Sequence, residues 1–189
     1  MKLCSLVSRK GFSNTFILSE KPRGAALVLD PGFFDEQMLQ LIEGGGLRVS
    51  AVLLTHCHRS HVDGLRTMAR IYQFELYCYL PRFMEHRCEP VRDGARAVIA
   101  GLEVLCLHTP GHSADSVSYK IGRALFTGDT LMAGEIGSTS DPQQRRVLLD
   151  SIWAKILSWP ADTLIFPGHG PPTTVGLEKR FNPALACAG

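Results

Sequence analysis

His56, His58 and His61 stand in the frame H-x-H-x-x-H, directly behind the apolar run Val52-Leu53-Leu54. Beyond them the spacing of Leu65, Met68 and Ile71 is helical. The pattern is that of a strand delivering imidazoles at its carboxyl end. In an extended segment alternate side chains share a face, so a thiol at Cys57 should point away from the two histidines that flank it. Three further groups close other apolar runs: His112 in T-P-G-H, Asp129 in T-G-D and His169 in P-G-H. A glycine precedes each of them and lets the backbone bend sharply to present the side chain. Alone, Asp129 would read as a turn residue after glycine; in this company it reads as a ligand. Imidazoles and one carboxylate without thiolate suit zinc, iron or manganese, and a catalytic centre of that kind keeps a position open for water. The chemistry expected is hydrolysis. His86 and His108 have no such setting and read as structural histidines.

The elements that must position these groups follow from periodicity and turn signals. Residues 3–7, 14–18 and 25–29 read as short strands, the first two separated at Lys10-Gly11 and the third ending at Asp30-Pro31-Gly32. Met38, Leu39 and Ile42 predict a helix capped by Asp35 and stopped by Gly44-Gly45-Gly46. Residues 49–54 form the strand behind the histidines, 65–71 a helix, 75–79 a strand and 81–89 a short helix. Residues 97–99 and 102–107 make a hairpin about Ala100-Gly101, and 116–121 pairs with 124–127 about Gly122-Arg123. A helix begins at Asp141-Pro142, carries Val147, Leu148, Ile152, Ile156 and Leu157, and ends before Pro160. Residues 163–166 are the last strand. Strands alternating with helices indicate an α/β protein.

A chain of 189 residues can bury one continuous core, so one domain spanning residues 1–189 is expected. Its 20 basic and 18 acidic residues nearly balance, without a basic run that would call for nucleic acid. No window has the length and apolarity of a membrane span, and the amino end lacks a signal-peptide apolar region. A cytoplasmic location is expected. The six cysteines, Cys4, Cys57, Cys78, Cys88, Cys106 and Cys187, contain no C-x-x-C pair, and neither disulfides nor a zinc-thiolate knot is expected. The spacing leaves the oligomeric state open.

Five stretches, LVLDPG (27–32), LLTHCHRSHVDG (53–64), HTPGHSADSVSY (108–119), FTGDTLMAGEIG (126–137) and FPGHGPPTTVGLEKRFNP (166–183), together resemble the metallo-β-lactamase fold superfamily. Within it the chain is most similar to the small glyoxalase II-like, or hydroxyacylglutathione hydrolase-like, branch. That resemblance implies an αββα sandwich: two mixed sheets face to face, helices outside, and metal at one edge. It also implies that His56, His58 and His112 hold a first metal, that Asp129 bridges, and that His61 and His169 serve a second. The family's frame is H-x-H-x-D-H, and this chain has Ser60 in place of its aspartate. A neutral hydroxyl is a weak ligand, so the first site is expected to be filled and the second weak or empty. Asp63, one turn beyond, could compensate only by approaching the site, and it reads more readily as a helix cap or a surface charge.

The family's glutathione-gripping basic and aromatic residues are replaced by Ser138 and Ser140, and no helical domain like that of the long glyoxalases is expected. A substrate other than S-lactoylglutathione is therefore expected, unless Arg59, Arg145 or Arg146, which read as surface residues, supplies charge. The function expected is hydrolysis of a small thioester or related activated acyl substrate, with zinc the expected metal and iron or manganese the alternatives. In this reading His56, His58 and Asp129 carry the catalysis through a metal-bound hydroxide. Two other readings stand beside it: an iron-dependent persulfide dioxygenase-like enzyme, which shares the T-H-C-H opening, and a degenerate metal- or ligand-binding protein without turnover.

Overall fold

The computed structural model describes residues 1–8 and 11–186. Lys10 and Cys187, both named above, lie outside the described residues. Strands β1 (Lys2–Val7), β2 (Asn14–Ser19) and β3 (Ala25–Leu29) form an antiparallel meander. Helix α1 (Glu36–Gly44) then crosses over to β4 (Arg48–Leu53), which lies parallel to β3. Asp35 caps α1 as expected, accepting the Met38 N–H at 3.0 Å. Short helices α2 (Arg59–Val62) and α3 (Leu65–Ile71) lead to β5 (Glu75–Cys78), again parallel.

The helix expected over residues 81–89 does not form. That segment is a small hairpin, β6 (Arg82–Phe83) and β7 (His86–Arg87), with Met84 at φ 53, a left-handed conformation incompatible with a helix interior. It is followed by β8 (Glu89–Pro90), which joins the sheet edge beside β5.

Strands β9 (Arg96–Ile99), β10 (Leu102–His108), β11 (Val117–Ile121) and β12 (Ala124–Gly128) build a second antiparallel array. A short hairpin, β13 (Leu131–Met132) and β14 (Glu135–Ile136), follows. Helix α4 (Pro142–Ser151) starts on an Asp141 cap and runs into a π-helical turn, Ile152–Ile156, where Leu157 N–H reaches back five residues to Ile152 O. Strand β15 (Leu164–Pro167) then pairs parallel to β12, and β16 (Thr173–Thr174), α5 (Val175–Phe181) and α6 (Pro183–Ala186) complete the described chain.

The two six-stranded sheets run β1-β2-β3-β4-β5-β8 and β16-β15-β12-β11-β10-β9. Strand alternation sorts their side chains into three apolar layers. Leu27, Leu29 and Leu53 face Val104, Tyr119 and Phe126 between the sheets. Their neighbours Ala26, Val28 and Val52 face outward onto Met38 and Ile42 of α1 and Leu65 and Met68 of α3. On the opposite outer face Leu125 and Ile165 meet Leu148, Ile152 and Ile156. Strands buried on both faces are apolar without interruption, as residues 51–54 are in sequence. This is the αββα sandwich that the resemblance implied. Cys4, Cys57, Cys78, Cys88 and Cys106 are all free thiols.

Candidate metal centre

Strands β4, β10, β12 and β15 run out at the same edge of the sandwich, and the loops beyond them carry His56, His58 and His61, then His112, Asp129 and His169. Groups separated by more than a hundred residues meet within a few ångströms. Ligand atoms of His56, His58 and His112 lie within 4.8 Å of one another, and so do those of His56, His61 and Asp129. His112 Nε2 is 2.9 Å from His58 Nδ1. Asp129 is the hub: Oδ2 lies 3.8 Å from His56 Nε2 and 3.7 Å from His112 Nε2, while Oδ1 lies 3.4 Å from His61 Nε2 and 2.8 Å from His169 Nδ1. Two glycines make this approach possible. Gly128 takes a φ of 52 just before Asp129, and a Cβ on Gly168 would fall 2.5 Å from both Asp129 Oδ1 and His61 Cε1.

Hydrogen bonds set the tautomers. His112 Nδ1 faces the Ser138 carbonyl at 2.8 Å, so it carries the proton and leaves the Nε2 lone pair for a ligand. His61 Nδ1 donates to Asp30 Oδ2 at 3.1 Å. Thr55 Oγ1 donates to Asp30 Oδ2 at 2.6 Å and therefore accepts from His56 Nδ1 at 3.1 Å. The two most buried imidazoles, His56 and His61, thus turn bare Nε2 atoms toward Asp129. Both atoms are buried without a hydrogen-bond partner. A buried polar atom with no partner is costly, and a cation among these nitrogens and the carboxylate satisfies both. The residues fit a divalent metal.

The electrostatics agree. Burial and the neighbouring His61 push His56 down to about 3. Burial also presses His61 downward, but the carboxylates of Asp129 and Asp30 beside it outweigh that and raise the group to about 10. Burial would raise Asp129, yet His169 and His61 hold its carboxyl well below the usual range. Positive charge is favoured beside Asp129.

All six ligand positions read from sequence converge, although His169 is held against Asp129 and lies in neither three-ligand group. Ser60 sits on α2 with its carbonyl accepting from Ser13 Oγ at 2.6 Å, and it too is in neither group. Asp63 does not approach the centre; it pairs with the exposed Arg59 at 3.2 Å, one helical turn back. His86 and His108 stand apart, His108 stacking on Tyr79 with ring centroids 4.2 Å apart.

Two residues escaped the sequence reading. Asp30, read there as a turn residue, is buried and accepts from Thr55 N–H at 2.7 Å, Thr55 Oγ1 and His61 Nδ1. Asp115 accepts the Cys57 N–H at 3.0 Å and so pins the peptide between two ligands. The available signal was an acidic residue closing an apolar strand in L-V-L-D-P-G. Replacing Asp30 by alanine leaves three buried donors unpaired and is expected to cost on the order of 3 kcal/mol, read from the urea midpoint. The same change lowers metal affinity by about 10- to 100-fold in a chelator competition; unchanged affinity would show that Asp30 serves the fold alone.

A family model for the metallo-beta-lactamase superfamily matches residues 8–169, and the chain belongs to that superfamily. It is 32% identical over 184 residues to hydroxyacylglutathione hydrolase GloC of Haemophilus influenzae, covering 85% of this chain and 87% of that protein. It is also 32% identical over 182 residues to the probable metallo-hydrolase YqgX of Bacillus subtilis, covering 84% and 86%. Among solved structures, ETHE1 from Myxococcus xanthus superposes with a TM-score of 0.90 at 27% identity, over 100% of this chain and 86% of that one.

Proposed function

We propose that this protein is a metal-dependent hydrolase of an activated acyl bond, a thioester first of all, working with one metal held by His56, His58 and His112. The observation that carries the reading is the buried, partnerless Nε2 of His56, facing His58, His112 and the Asp129 carboxylate. The similarity to GloC, a hydroxyacylglutathione hydrolase, supports the thioester. A divalent cation bound here supplies an acidified water and polarises the acyl oxygen. Asp129 Oδ2, beside His56 and His112, is placed to orient that water and accept its hydrogen bond. A thiol with a pKa near 8.5 leaves as thiolate with little need of a proton donor, which matches a centre built of ligands.

Zinc is the proposed metal, with iron and manganese suited to the same donors. A second metal beside His61 and His169 is held weakly, because Ser60 brings no charge. The substrate is a small molecule whose thiol portion differs from glutathione. Ser138 and Ser140 bring no positive charge to the loop after Asp129, and the Ser140 hydroxyl is turned to Asp141 Oδ2 at 2.9 Å, so neither offers a cation to a peptide carboxylate. Among the described residues no helix is long and apolar enough to cross a membrane; the free thiols among them support a cytoplasmic location.

The test is an element-resolved metal count on protein purified without added metal or chelator, followed by an acyl-thioester panel. One metal per chain and turnover that chelation abolishes and zinc restores is the expected result. A filled site with no turnover across the panel would mean a binding protein instead.

A further inference from the structure

The stretch after His169, G-P-P-T-T-V-G-L-E-K-R-F-N-P, supplies no ligand, yet three of its polar residues are buried together. Glu178 on α5 is only 4% exposed. Its Oε1 accepts from Thr173 Oγ1 at 2.6 Å, and its Oε2 accepts from Asn182 Nδ2 at 2.7 Å and from the Gly134 N–H at 3.0 Å. Asn182 Nδ2 also donates to the Glu135 carbonyl at 3.1 Å. Both side chains therefore grip the tip of the β13–β14 hairpin, a ladder of two residue pairs that is too short to hold its own shape.

What lies at the other end of that hairpin is the metal centre. Gly137, the residue after β14, is packed so closely that a Cβ there would fall 2.1 Å from Asp129 O and 2.9 Å from His112 Nδ1. The next carbonyl, that of Ser138, receives the His112 Nδ1–H. The hairpin is thus the support for the one hydrogen bond that fixes the tautomer and ring plane of a first-metal ligand. Its position depends on acceptors and donors of the C-terminal segment.

We infer that Glu178, acting with Asn182, is a positioning residue for the first metal: it anchors the 131–136 hairpin so that the Ser138 carbonyl orients His112. The inference rests on the metal centre proposed above and is independent of which bond is hydrolysed. A buried carboxylate that meets three donors and, among the described residues, no cation is not needed to close a surface helix onto a sheet; apolar packing of Val175 already does that. Its placement on the hairpin tip is explained by the loop it holds.

The test compares zinc affinity, by competition with a chromophoric chelator, with the urea midpoint of the metal-free protein and with the absorption spectrum of the cobalt-loaded protein. Glu178→Met keeps length and removes both acceptors; it is expected to weaken zinc binding by about 10- to 100-fold and to alter the cobalt spectrum. Glu178→Gln restores affinity to within about threefold, since the Thr173 hydroxyl can turn and accept from the new amide while the remaining oxygen serves Gly134 and Asn182. Ile42→Ala, in α1 on the far outer layer, lowers the midpoint and leaves zinc affinity as in the unaltered protein. Should Glu178→Met prove too unstable to purify, Asn182→Ala carries the same expectation. Wild-type affinity in the methionine variant, or a glutamine variant as weak as it, overturns the inference while leaving the metal centre intact. An unaltered protein that binds no zinc overturns both.

Discussion

In the proposed reaction, changing Asp129 to asparagine is expected to lower kcat/KM on an acyl thioester by about 10³-fold or more, roughly 4 kcal/mol of transition-state stabilisation. The side chain keeps its shape, so the loss isolates the charge. Among the described residues Asp129 is the one carboxylate set against His56, His61, His112 and His169, with one oxygen turned to each pair. An amide in its place presents a donor to at least one nitrogen that is itself bare. Losing partners of the ligands alone costs about 10- to 100-fold, and a group that would orient the water of the proposed reaction should cost more. The measurement is steady-state kinetics at matched metal content. A loss below tenfold in a fully loaded variant would remove Asp129 from the reaction.

The second large effect is a gain. Ser60→Asp is expected to raise the bound metal from one equivalent to two, counted by elemental analysis after dialysis against trace zinc. Residue 60 lies on α2 immediately before His61, whose Nε2 already faces Asp129 Oδ1 at 3.4 Å, with His169 on the same oxygen. Two imidazoles and a shared carboxylate lack a second anion there, and Asp63 cannot supply it because it is turned outward to Arg59. A carboxylate at 60 adds both donor and charge. It also places a third acid near Asp30 and Asp129, so the metal-free variant loses stability and the zinc-induced rise in Tm exceeds that of the unaltered protein. Unchanged stoichiometry would mean that the missing charge is not what limits the second site.

The convergence of the six candidate ligand positions was legible because each follows an apolar run that ends at one edge of the sandwich. His56, His58, His61, His112, Asp129 and His169 needed no knowledge of which strands are neighbours. Asp30 and Asp115 did: their importance lies in hydrogen bonds to Thr55 and Cys57, and nothing in the spacing of an Asp-Pro-Gly or an Ala-Asp-Ser announces a partner 25 or 58 residues away. The hairpin at residues 82–87 was read as a helix because two-residue strands have no periodicity to detect. Helix α5 went unread although its cap is plain in the structure, where Thr174 Oγ1 accepts from Leu177 N–H at 3.2 Å; Gly176 and the two preceding prolines masked it. The β13–β14 hairpin is invisible for the same reason as the first, and with it the route from Glu178 to His112.

The hydrogen bonds from Asn14 Nδ2 to the carbonyls of Pro167 and Gly170 join positions 153 and 156 apart in the chain. They flank His169 and seat its loop on the start of β2, where Ser13 forms a bridge with His169 itself. During synthesis the amino-terminal meander leaves the ribosome long before the residues it must grip, so these closures belong to the end of folding. His56, His58 and His61 lie on one early stretch, whereas His169 and, through Glu178 and Asn182, the carbonyl that orients His112 wait for the carboxyl-terminal segment.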